Sequence, residues 1–519
     1  MGISNVAVKT FDSSGAQSLC RTNEYKGDEE VKSSFISKCQ KLYISGSGET
    51  VIPGSLRQFP ASNSTDTFFI NSDTDAISDI TFNVEFKIRR PSSITTGTWG
   101  ANVTKDIILA LIDKVQIKIG SLTVQSLTSD DIYIRNLTEL GKPFTFSAPI
   151  PSSSKVARDL SDTGGSIPAV VEAPSKGSEN VWKYTDASDD VFKIQASCSI
   201  PFMGRSNDVA RSLLQAGALT NAVTIKVYYN NIYSGEDGNA AAGNSHYQIL
   251  SAGNGTATTV DYLDTSYFKS NIKVRTHVIT ETEKKFISKN IVHRVVNTSA
   301  NVIKEIEKNS SITSYTDTVT DIEVDLEDVS FNVTHLLIGV RLPHVKDRQL
   351  SVHSSVTTAP GQVDLATVTG KNAVSTPFSV INSQTFHQPA NNPPDLLLGY
   401  MPDAIDSMEL VVGSDRTGFI SGAAAKIDAC ENFNLVNSNR DMAHYIVTLA
   451  EKAFDTAGIP FSKTNNKKLL IKLNNSIFKY SACTPNPLSN SNYTQNAIIT
   501  VTACGTKVQS VVGGSMSFL

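Results

Sequence analysis

The residue types that carry most enzyme and metal chemistry are scattered along this sequence of 519 residues. Histidines that share a zinc ion on one helix stand about three to five positions apart, and no two of the eight histidines have that spacing. The sequence also lacks a Gly-x-x-x-x-Gly-Lys-[Ser/Thr] phosphate loop, a Gly-x-Ser-x-Gly nucleophile elbow and a His-Glu-x-x-His zinc helix. We therefore predict no catalytic, metal-binding or cofactor-binding residues and no cofactor, although a triad assembled from distant segments would leave no local motif.

One acidic run has a spacing that could do chemistry. Asp321, Glu323 and Asp325 alternate with apolar residues, and Glu327 and Asp328 follow them. Carboxylates on one face of a strand could bind a cation such as calcium. The same pattern is typical of a solvated, charged strand that resists pairing with another sheet edge. Both interpretations stay open at this point.

Composition excludes several classes of partner. Charged residues make up 18% of the chain and the net charge is −4, so we predict no direct binding to nucleic acid. The longest uninterrupted apolar stretch, from Ile107 to Ile112, is far shorter than the roughly 20 residues of a membrane-spanning helix. The N-terminus lacks the apolar core of a signal peptide.

The six cysteines form no CxxC pair, so we interpret them as reduced and buried. They are Cys20, Cys39, Cys198, Cys430, Cys483 and Cys504.

The elements available to position side chains are mostly strands. Apolar residues alternate with polar ones from Phe82 to Ile88 and from Val115 to Ile119, which predicts half-buried strands. Gly120-Ser121 then predicts a hairpin turn into Leu122-Thr123-Val124. Further strands are predicted at Phe192 to Ile200, Val223 to Tyr229, Ile322 to Leu326, Thr334 to Val340, Met408 to Val412, Leu469 to Leu473 and Ile498 to Thr502.

Helices are few in this reading. The clearest is predicted from about Arg440 to Ala457, where Met442, Tyr445, Ile446, Leu449, Ala453 and Phe454 form a stripe at helical spacing. The stripe favours packing against a sheet, and His444 between its residues is either a packed histidine or a metal ligand with distant partners. A shorter helix, from Asp130 to Leu140, has Ser129 as a candidate cap. A third is predicted from Asp208 to Ala216.

Three short matches between the halves indicate an internal duplication. Ile112 to Ser121 matches Ile405 to Ser414, each reading Ile-Asp, a strand and Gly-Ser. Ile80 to Val84 is echoed by Val329 to Val333, and Asn221-Ala222-Val223 by Asn496-Ala497-Ile498. The matches occur in the same order, which favours tandem copies of one β-domain.

Long Pro/Gly/Ser-rich stretches separate these elements, at Ser147 to Ser188, Ser234 to Thr259 and His344 to Pro394. Short strands with long loops predict an all-β fold of two tandem jelly-roll β-sandwiches with a few short helices. We assign residues 1–60 to an N-terminal segment leading into the first domain, 61–233 to the first jelly roll, 234–260 to a Gly/Ala-rich junction and 261–519 to the second jelly roll.

Two stretches resemble a known family. Leu111 to Leu140 is a strand ending in Ile119-Gly120, a turn, and a helix that starts in Ser129-Asp130-Asp131. Ile200-Pro201-Phe202 is followed by a short helix and a strand to Tyr229. Both resemble the double jelly-roll major capsid proteins of nucleocytoplasmic large DNA viruses, polinton-like viruses and virophages. The sequence departs from the large-virus members at Met203 and Gly204, where those often carry further aromatic residues.

The resemblance implies a structural role in a virion that is assembled inside a host cell. Members of the family form homotrimers whose six jelly rolls make a pseudo-hexagonal capsomer, and capsomers tile an icosahedral capsid, usually over an inner membrane. The implied partners are further copies of the chain, minor capsid or penton proteins, and that membrane. By analogy, Ser147 to Ser188 and His344 to Pro394 are candidates for the loops that form an outward tower.

Three other functions stay open from the sequence. The first is a double jelly-roll scaffold that shapes a viral membrane but is absent from the mature virion. The second is a β-sandwich binding module of the lectin or adhesin type, which would be secreted and would use calcium or disulfides. The third is a β-sandwich hydrolase, which needs converging carboxylates or a Ser/His pair in a groove.

Overall fold

The structure of the protein is a computed structural model. The structure describes residues 44–60, 64–70, 74–89, 99–103, 107–140, 145–151, 156–157, 181–184, 191–202, 213–229, 247–251, 263–279, 281, 292–306, 319–341, 404–416, 419–425, 443–450, 458–474, 497–512 and 515–518. Strands are numbered β1 to β24 in chain order. The α-helices labelled within the described residues are α1 (Ile107–Leu111) and α2 (Ser129–Leu140), and a further helical turn covers residues 422–425. Short 3-10 turns cover Ala216–Ala218 and Phe461–Lys463.

The first sandwich consists of two antiparallel sheets. Sheet A has the strand order β1 (Ile44–Pro53), β13 (Leu263–Ile279), β3 (Ala76–Arg89), β10 (Val191–Ile200) and β7 (Thr145–Pro151). Sheet B has the order β2 (Thr65–Ile70), β11 (Val223–Tyr229), β5 (Ile112–Ile119) and β6 (Leu122–Thr128). Alternation along β3 shows how the sequence makes this fold: Phe82, Val84 and Phe86 are buried, whereas Asn83 and Glu85 lie on the outer face.

The second sandwich repeats this arrangement. Sheet D has the order β14 (Val292–Ile306), β23 (Ala497–Val512), β16 (Asn332–Arg341) and β20 (Ala443–Thr448), with β21 (Ile459–Pro460) beside β16 and β24 (Ser515–Phe518) beside β23. Sheet E has the order β15 (Val319–Asp325), β22 (Lys467–Asn474), β17 (Ile405–Val412) and β18 (Asp415–Arg416), with β19 (Ile420–Ser421) beside β17.

Both sandwiches are jelly rolls with the same topology. When the eight main strands of each are counted in chain order, one sheet of each reads 1-8-3-6 and the other reads 2-7-4-5. Eight antiparallel strands in two such sheets are the jelly-roll arrangement. The predicted fold class, two tandem jelly-roll sandwiches with few helices, is therefore confirmed.

A small third sheet is built from loops of the first sandwich. Sheet C has the order β12 (Tyr247–Ser251), β4 (Trp99–Val103), β9 (Val181–Tyr184) and β8 (Val156–Ala157). Its strands lie in the connections from the third to the fourth, the fifth to the sixth and the seventh to the eighth main strand. Because neighbouring strands are antiparallel, all three connections lie at the same end of the jelly roll. Of the two candidate tower loops, Ser147 to Ser188 contributes β8 and β9 to this sheet, while its first residues, up to Pro151, belong to β7 of sheet A. His344 to Pro394 lies outside the described residues.

The two sandwiches share a continuous apolar contact. The interior of the first is filled by Phe68, Phe82, Phe86 and their neighbours, and that of the second by Leu336, Ile338, Leu410 and theirs. Leu337 and Cys504 belong to strands of sheet D, yet they pack into the first core. Sheet D is therefore covered on both faces. Cys198 and Cys504 are buried free thiols, as the sequence predicted for them.

The predicted helix from Arg440 to Ala457 is wrong over its described central part. Residues Ala443–Thr448 form β20, which pairs with His335 to Val340 of β16. Tyr445, Ile446 and Val447 are all buried, because β20 faces the second core on one side and the first core on the other. A strand buried on both faces loses its polar-apolar alternation, and its apolar run then mimics a helical stripe.

Two other short-range predictions also need correction. The helix predicted from Asp208 to Ala216 is absent at its described end, where Leu214 forms a β-bridge with Ile77.

The third repeat match joins strands at different positions in the two sandwiches. Asn221-Ala222-Val223 leads into the seventh main strand of the first, whereas Ala497 begins the eighth main strand of the second. The apolar residues of both strands are drawn from the same small β-forming alphabet, which explains the false match. The other two matches join the fourth strands and the third strands.

The sequence placed a junction at residues 234–260 and began the second jelly roll at residue 261. Within that junction, Tyr247–Ser251 forms β12 of sheet C. Leu263–Ile279 forms β13, which hydrogen-bonds to both β1 and β3 in sheet A. Strand β1, from Ile44 to Pro53, lies in the segment assigned as 1–60 and is the first strand of that sheet. These pairings place all three strands with the first sandwich, because β13 is its eighth strand and closes the 1-8-3-6 sheet.

The matched hairpins depend on glycines in the left-handed region. Gly120 turns β5 into β6 with φ of +57°, and Gly413 turns β17 into β18 with φ of +69°. A Cβ atom on Gly413 would have no neighbour closer than 3.9 Å, so only the backbone conformation resists a side chain there.

We expect Gly413→Ala to cost about 1 kcal/mol, because an alanine disfavours the left-handed conformation by about that amount. Gly413→Asn should cost less, because asparagine tolerates this conformation. The midpoints of thermal unfolding of the two variants and the natural chain would test this. Equal midpoints for the alanine and asparagine variants would contradict the stated cause.

Candidate functional site

Helix α2 is the element that joins the two jelly rolls. It follows β6 directly, and the Thr128 hydroxyl accepts a hydrogen bond of 3.3 Å from the backbone N–H of Asp131. The predicted helix from Asp130 to Leu140 is thus confirmed, with the cap one residue earlier than Ser129. Asn136 donates to the Ser199 carbonyl at 2.6 Å, which ties α2 to β10 of its own sandwich.

Three charged residues repeat every fourth position along one face of this helix: Asp131, Arg135 and Glu139. A spacing of four stacks side chains one above the other on a helix. The Arg135 guanidinium lies 3.0 Å from Glu139, and their side chains are 0% and 2% exposed. The face is therefore a buried row of charge, which requires polar partners from whatever covers it.

Sheet D supplies those partners. Arg135 donates to the Ser299 hydroxyl of β14 at 2.8 Å, and the Thr502 hydroxyl of β23 donates to Asp131 at 2.9 Å. Gln125 of β6 donates to the same Ser299 hydroxyl at 3.1 Å. Asn301 of β14 donates to Thr128 at 3.0 Å. Each contact crosses from the first jelly roll to the second.

Apolar packing surrounds this polar row. Ile134 of α2 lies over Gly339 of β16, where a Cβ atom would come within 2.5 Å of the isoleucine Cδ1. Leu337 and Ile446, from neighbouring strands of sheet D, are buried in the same cluster. The glycine lets the helix approach the sheet closely, so the two rolls pack without a gap at this point.

Burial shifts the ionisation of the groups at this contact. It raises the pKa of Asp131 to about 6, although Arg135 and the Thr502 hydrogen bond oppose the shift. Burial also lowers the pKa of His335, on β16 of sheet D, to about 3, with Arg135 adding to the effect. For Arg135, burial lowers the pKa, but Glu139 and other neighbours outweigh it and the pKa ends above its ordinary value. The guanidinium is therefore the permanent charge of the contact.

The acidic run of β15 forms a solvated face. Asp321, Glu323 and Asp325 are exposed, whereas the alternating Ile322 and Val324 are buried. Lys468 on the neighbouring strand lies 2.6 Å from Glu323. Within the described ranges, no group of three or more His, Cys, Asp or Glu residues is placed to hold a metal ion. The arrangement favours the charged-face interpretation over a cation site.

The side chain of Lys467 is held by backbone carbonyl groups. The Lys467 ammonium donates to the carbonyls of Glu327, Val329 and Phe461 at 2.9 to 3.1 Å.

The sequence left His444 open as a packed residue or a metal ligand. It lies on β20, and its backbone is opposite Gly339 of β16.

Across the described part of the chain, no helix is long and apolar enough to cross a membrane.

Two exposed depressions lie on the outer faces of the sandwiches. A cavity of about 440 Å³ on sheet E lies between Glu323, Glu409, Leu470 and Lys472, with the exposed Phe419 at its edge. A smaller one, of about 250 Å³, lies on sheet A between Asn83, Glu85, Gln195 and Asn271. Neither is lined by a histidine or a cysteine; the larger has three carboxylates, Asp321, Glu323 and Glu409, in its lining, and the smaller has Glu85 and Ser197.

Comparisons with known proteins bear on the fold. No family model matches the chain, and no curated protein matches it in sequence. The structure of PBCV-1 VP54, fitted into a reconstruction of the virophage Sputnik, has a TM-score of 0.52 at 11% identity, covering 92% of this chain and 97% of that one. A quasi-atomic model of the PBCV-1 virus capsid has a TM-score of 0.51, with the same identity and coverage.

The Faustovirus major capsid protein covers 90% of each chain at 9% identity, with a TM-score of 0.44. That score is too low to support a conclusion, so the comparison of folds is made with the two PBCV-1 structures. At 11% identity they establish a shared double jelly-roll fold over nearly the whole of both chains. They transfer no residue role.

We expect Arg135→Met to destabilise the chain by about 3–5 kcal/mol, because it leaves the buried Glu139 carboxylate without its cation. The double variant Arg135→Met with Glu139→Leu should recover most of that loss, since it replaces the ion pair by apolar side chains of similar size. Thermal unfolding of both variants would test this. A double variant as unstable as the single one would show that the ion pair itself is not the cause.

Asp131→Asn should stabilise the chain at neutral pH. The folded-state pKa of Asp131 is raised from 3.8 to about 6, so the neutral carboxyl stabilises the fold below about pH 4 and this contribution is lost as the pH rises through 6. Asparagine remains neutral and can still accept the hydrogen bond from Thr502. The gain should approach about 3 kcal/mol at pH 8 and vanish near pH 4. A gain that does not change with pH would contradict this assignment.

Proposed function

We propose that this chain is the major capsid protein of a DNA virus with an icosahedral shell. The observation that carries the proposal is the likeness to the PBCV-1 capsid protein, which extends over 92% of this chain and 97% of that one. Both jelly rolls take part in it, so the whole architecture is shared and not a single widespread domain. The proposed location is the virion, after assembly inside the host cell.

The contact between the two jelly rolls is what a subunit of a flat capsid layer needs, because it holds two like sandwiches side by side. Two sandwiches of equal topology lie side by side, and a buried polar row fixes their relative orientation. Three such chains would present six nearly equivalent units around a ring, which is the pseudo-hexagonal capsomer proposed for this protein. Cyclic arrangements of this kind form when a head-to-tail contact closes on itself.

The arrangement of the loops indicates which end of the jelly rolls would face outward from the proposed shell. Sheet C is assembled from three connections at one end of the first jelly roll. We propose that this end forms the tower of the capsomer, with Ser147 to Ser188, between the fifth and sixth main strands of the first roll, contributing to it. His344 to Pro394 connects the third and fourth main strands of the second roll and would lie at the corresponding end of that roll. The opposite end carries the short hairpins at Gly120 and Gly413 and would face the interior of the particle.

The proposed domain limits follow the strand pairing. The first jelly roll would extend from Ile44 to Ile279, since β1 and β13 are its first and eighth strands. The second would extend from Val292 to Phe518, since β14 pairs with β23 and β23 pairs with β24. If these limits are correct, limited proteolysis between residues 280 and 291 would yield two fragments that are resolved on a denaturing gel but remain associated in native buffer, because the contact between the rolls is buried.

The proposed partners are further copies of the chain, in a trimer and then in a lattice, together with minor capsid or penton proteins and an inner membrane. Direct contact with nucleic acid and enzymatic activity are not part of the proposal. The two PBCV-1 likenesses do not favour a lectin or adhesin module. A scaffold shed before maturation would share the fold, so the presence of the chain in purified mature particles distinguishes the two roles.

The proposal predicts that the purified chain is a trimer. Light scattering coupled to size exclusion should give three times the 55.9 kDa mass of one chain. Negative-stain images of the same peak should show particles with a roughly hexagonal outline. A monodisperse monomer at all concentrations that can be reached would contradict the proposal.

A further inference from the structure

The outer faces of sheets B and E take no part in the contact between the two rolls. That contact is made by helix α2, the β6 edge of sheet B and the outer face of sheet D. The outer faces of the two sheets of a sandwich point in opposite directions, so the outer face of sheet E points away from the first roll. Sheets B and E are the 2-7-4-5 sheets of the two rolls, and their outer faces are therefore equivalent surfaces of the duplicated unit.

The outer face of sheet B is basic. Along β2, β11 and β5, buried residues alternate with residues of this face, and the latter include Lys114, Lys118 and Lys226 but no carboxylate. Lys114 lies over the Tyr228 ring, 4.7 Å from its centroid. Among the described residues, none of the three lysines forms an ion pair. Their positive charges are therefore not compensated within the described part of the chain.

The equivalent face of sheet E has the opposite charge. Its positions on β15, β22 and β17 carry four carboxylates and two ammonium groups, which gives a net charge of −2. These residues are Asp321, Glu323, Asp325, Glu409, Lys468 and Lys472. Lys468 lies 2.6 Å from Glu323, and Arg416 of β18 lies 3.5 Å from Glu409. Asp321 and Asp325 form no ion pair with a described residue, so they are the carboxylates available to a partner.

The two faces also match in relief. Phe69 of β2 is 61% exposed on sheet B, and Thr224 separates it from Lys118 in the same cross-strand row. On sheet E the depression of about 440 Å³ is lined by Leu470, which lies between Glu323 and Glu409 in its own row. An exposed aromatic side chain beside lysines would thus meet an apolar depression bordered by carboxylates.

We infer that the outer face of sheet B in one copy binds the outer face of sheet E in a copy that belongs to a neighbouring capsomer. The inference rests on the proposed function and deepens it, since it names the side walls through which capsomers meet. The occupant is a second copy because the chain itself carries both complementary faces. Within one chain the two faces do not meet, since sheet E points away from the first roll.

The order of the rolls in a ring of three chains agrees with this pairing. First and second rolls alternate around such a ring, so each first roll stands opposite a second roll. Rings that pack side by side in one orientation therefore bring a first roll of one ring to a second roll of the next. A contact between unlike faces that does not close on itself repeats from ring to ring and so extends a layer.

Charge reversal tests the inference. At high protein concentration and low salt, light scattering should show the purified chain associating beyond the trimer, and added salt should reverse this association. Lys118→Glu with Lys226→Glu should raise the concentration for half-maximal association about tenfold or more, because like charges then face one another. Asp321→Lys with Asp325→Lys should have the same effect. A chain with all four substitutions should associate as the natural chain does, because the two faces are complementary again with reversed sign.

Two further variants separate the causes. Lys304→Glu with Lys463→Glu is the matched control, since it changes the net charge equally at exposed lysines outside both faces, and it should associate as the natural chain does. Phe69→Ser should weaken the association and leave its dependence on salt unchanged, because it removes apolar surface and no charge. Unchanged thermal midpoints show that each variant is folded.

The outcomes distinguish the inference from the proposed function. If trimers form but never associate further, or if the singly reversed faces associate as the natural chain does, the inference is overturned and the proposed function survives. A folded chain with all four substitutions that stays dissociated also overturns the inference. If the chain forms no trimers but associates in a manner that reversal of either face abolishes and reversal of both restores, the pairing of the faces holds and the proposed capsomer is wrong. A strictly monomeric chain contradicts both.

Discussion

A row of three charges buried between two sandwiches is the constraint on which the architecture depends. Removing Asp131, Arg135 and Glu139 from water costs several kcal/mol for each ion unless polar partners replace the water. Glu139 pairs with Arg135 within α2, while Ser299 and Thr502 of sheet D supply the remaining hydrogen bonds. These hydrogen bonds tie α2, and with it the first sandwich, to sheet D of the second.

Much of the fold was predictable because a strand with one buried face has apolar and polar residues in alternation, which is visible in the sequence. The alternation at Phe82 to Ile88 and the glycine turn at Gly120 are local signals, and both elements form where the sequence indicates. The failure at Ala443–Thr448 has the opposite cause. That strand is covered on both faces, and a pattern without alternation cannot distinguish a strand from a helix.

The contact residues were not predicted, for a related reason. Asp131, Arg135 and Glu139 lie on a helix that the sequence did indicate, and their spacing of four is visible in it. Such a row is usually a solvated face, and only the position of sheet D makes it buried. The partners Ser299 and Thr502 lie far away in the sequence, and the small hydroxyl side chains carry no local signature. A site built from long-range contacts therefore needs the tertiary structure.

The two jelly rolls of the chain have the same topology, and this duplication connects the contact between them with the proposed function. Within the chain, the first roll contacts sheet D of the second through α2, and this contact is buried. The proposed capsomer would place three such chains, and so six like sandwiches, around a ring. The long connections gather at one end of each roll, so they can vary without disturbing the side walls.

The most direct test is a cryo-EM reconstruction of the purified assembly. It should show three chains, and therefore six sandwich units, around a ring. A map in which the chain remains single, or in which the two sandwiches of one chain do not meet through α2 and sheet D, would contradict this account.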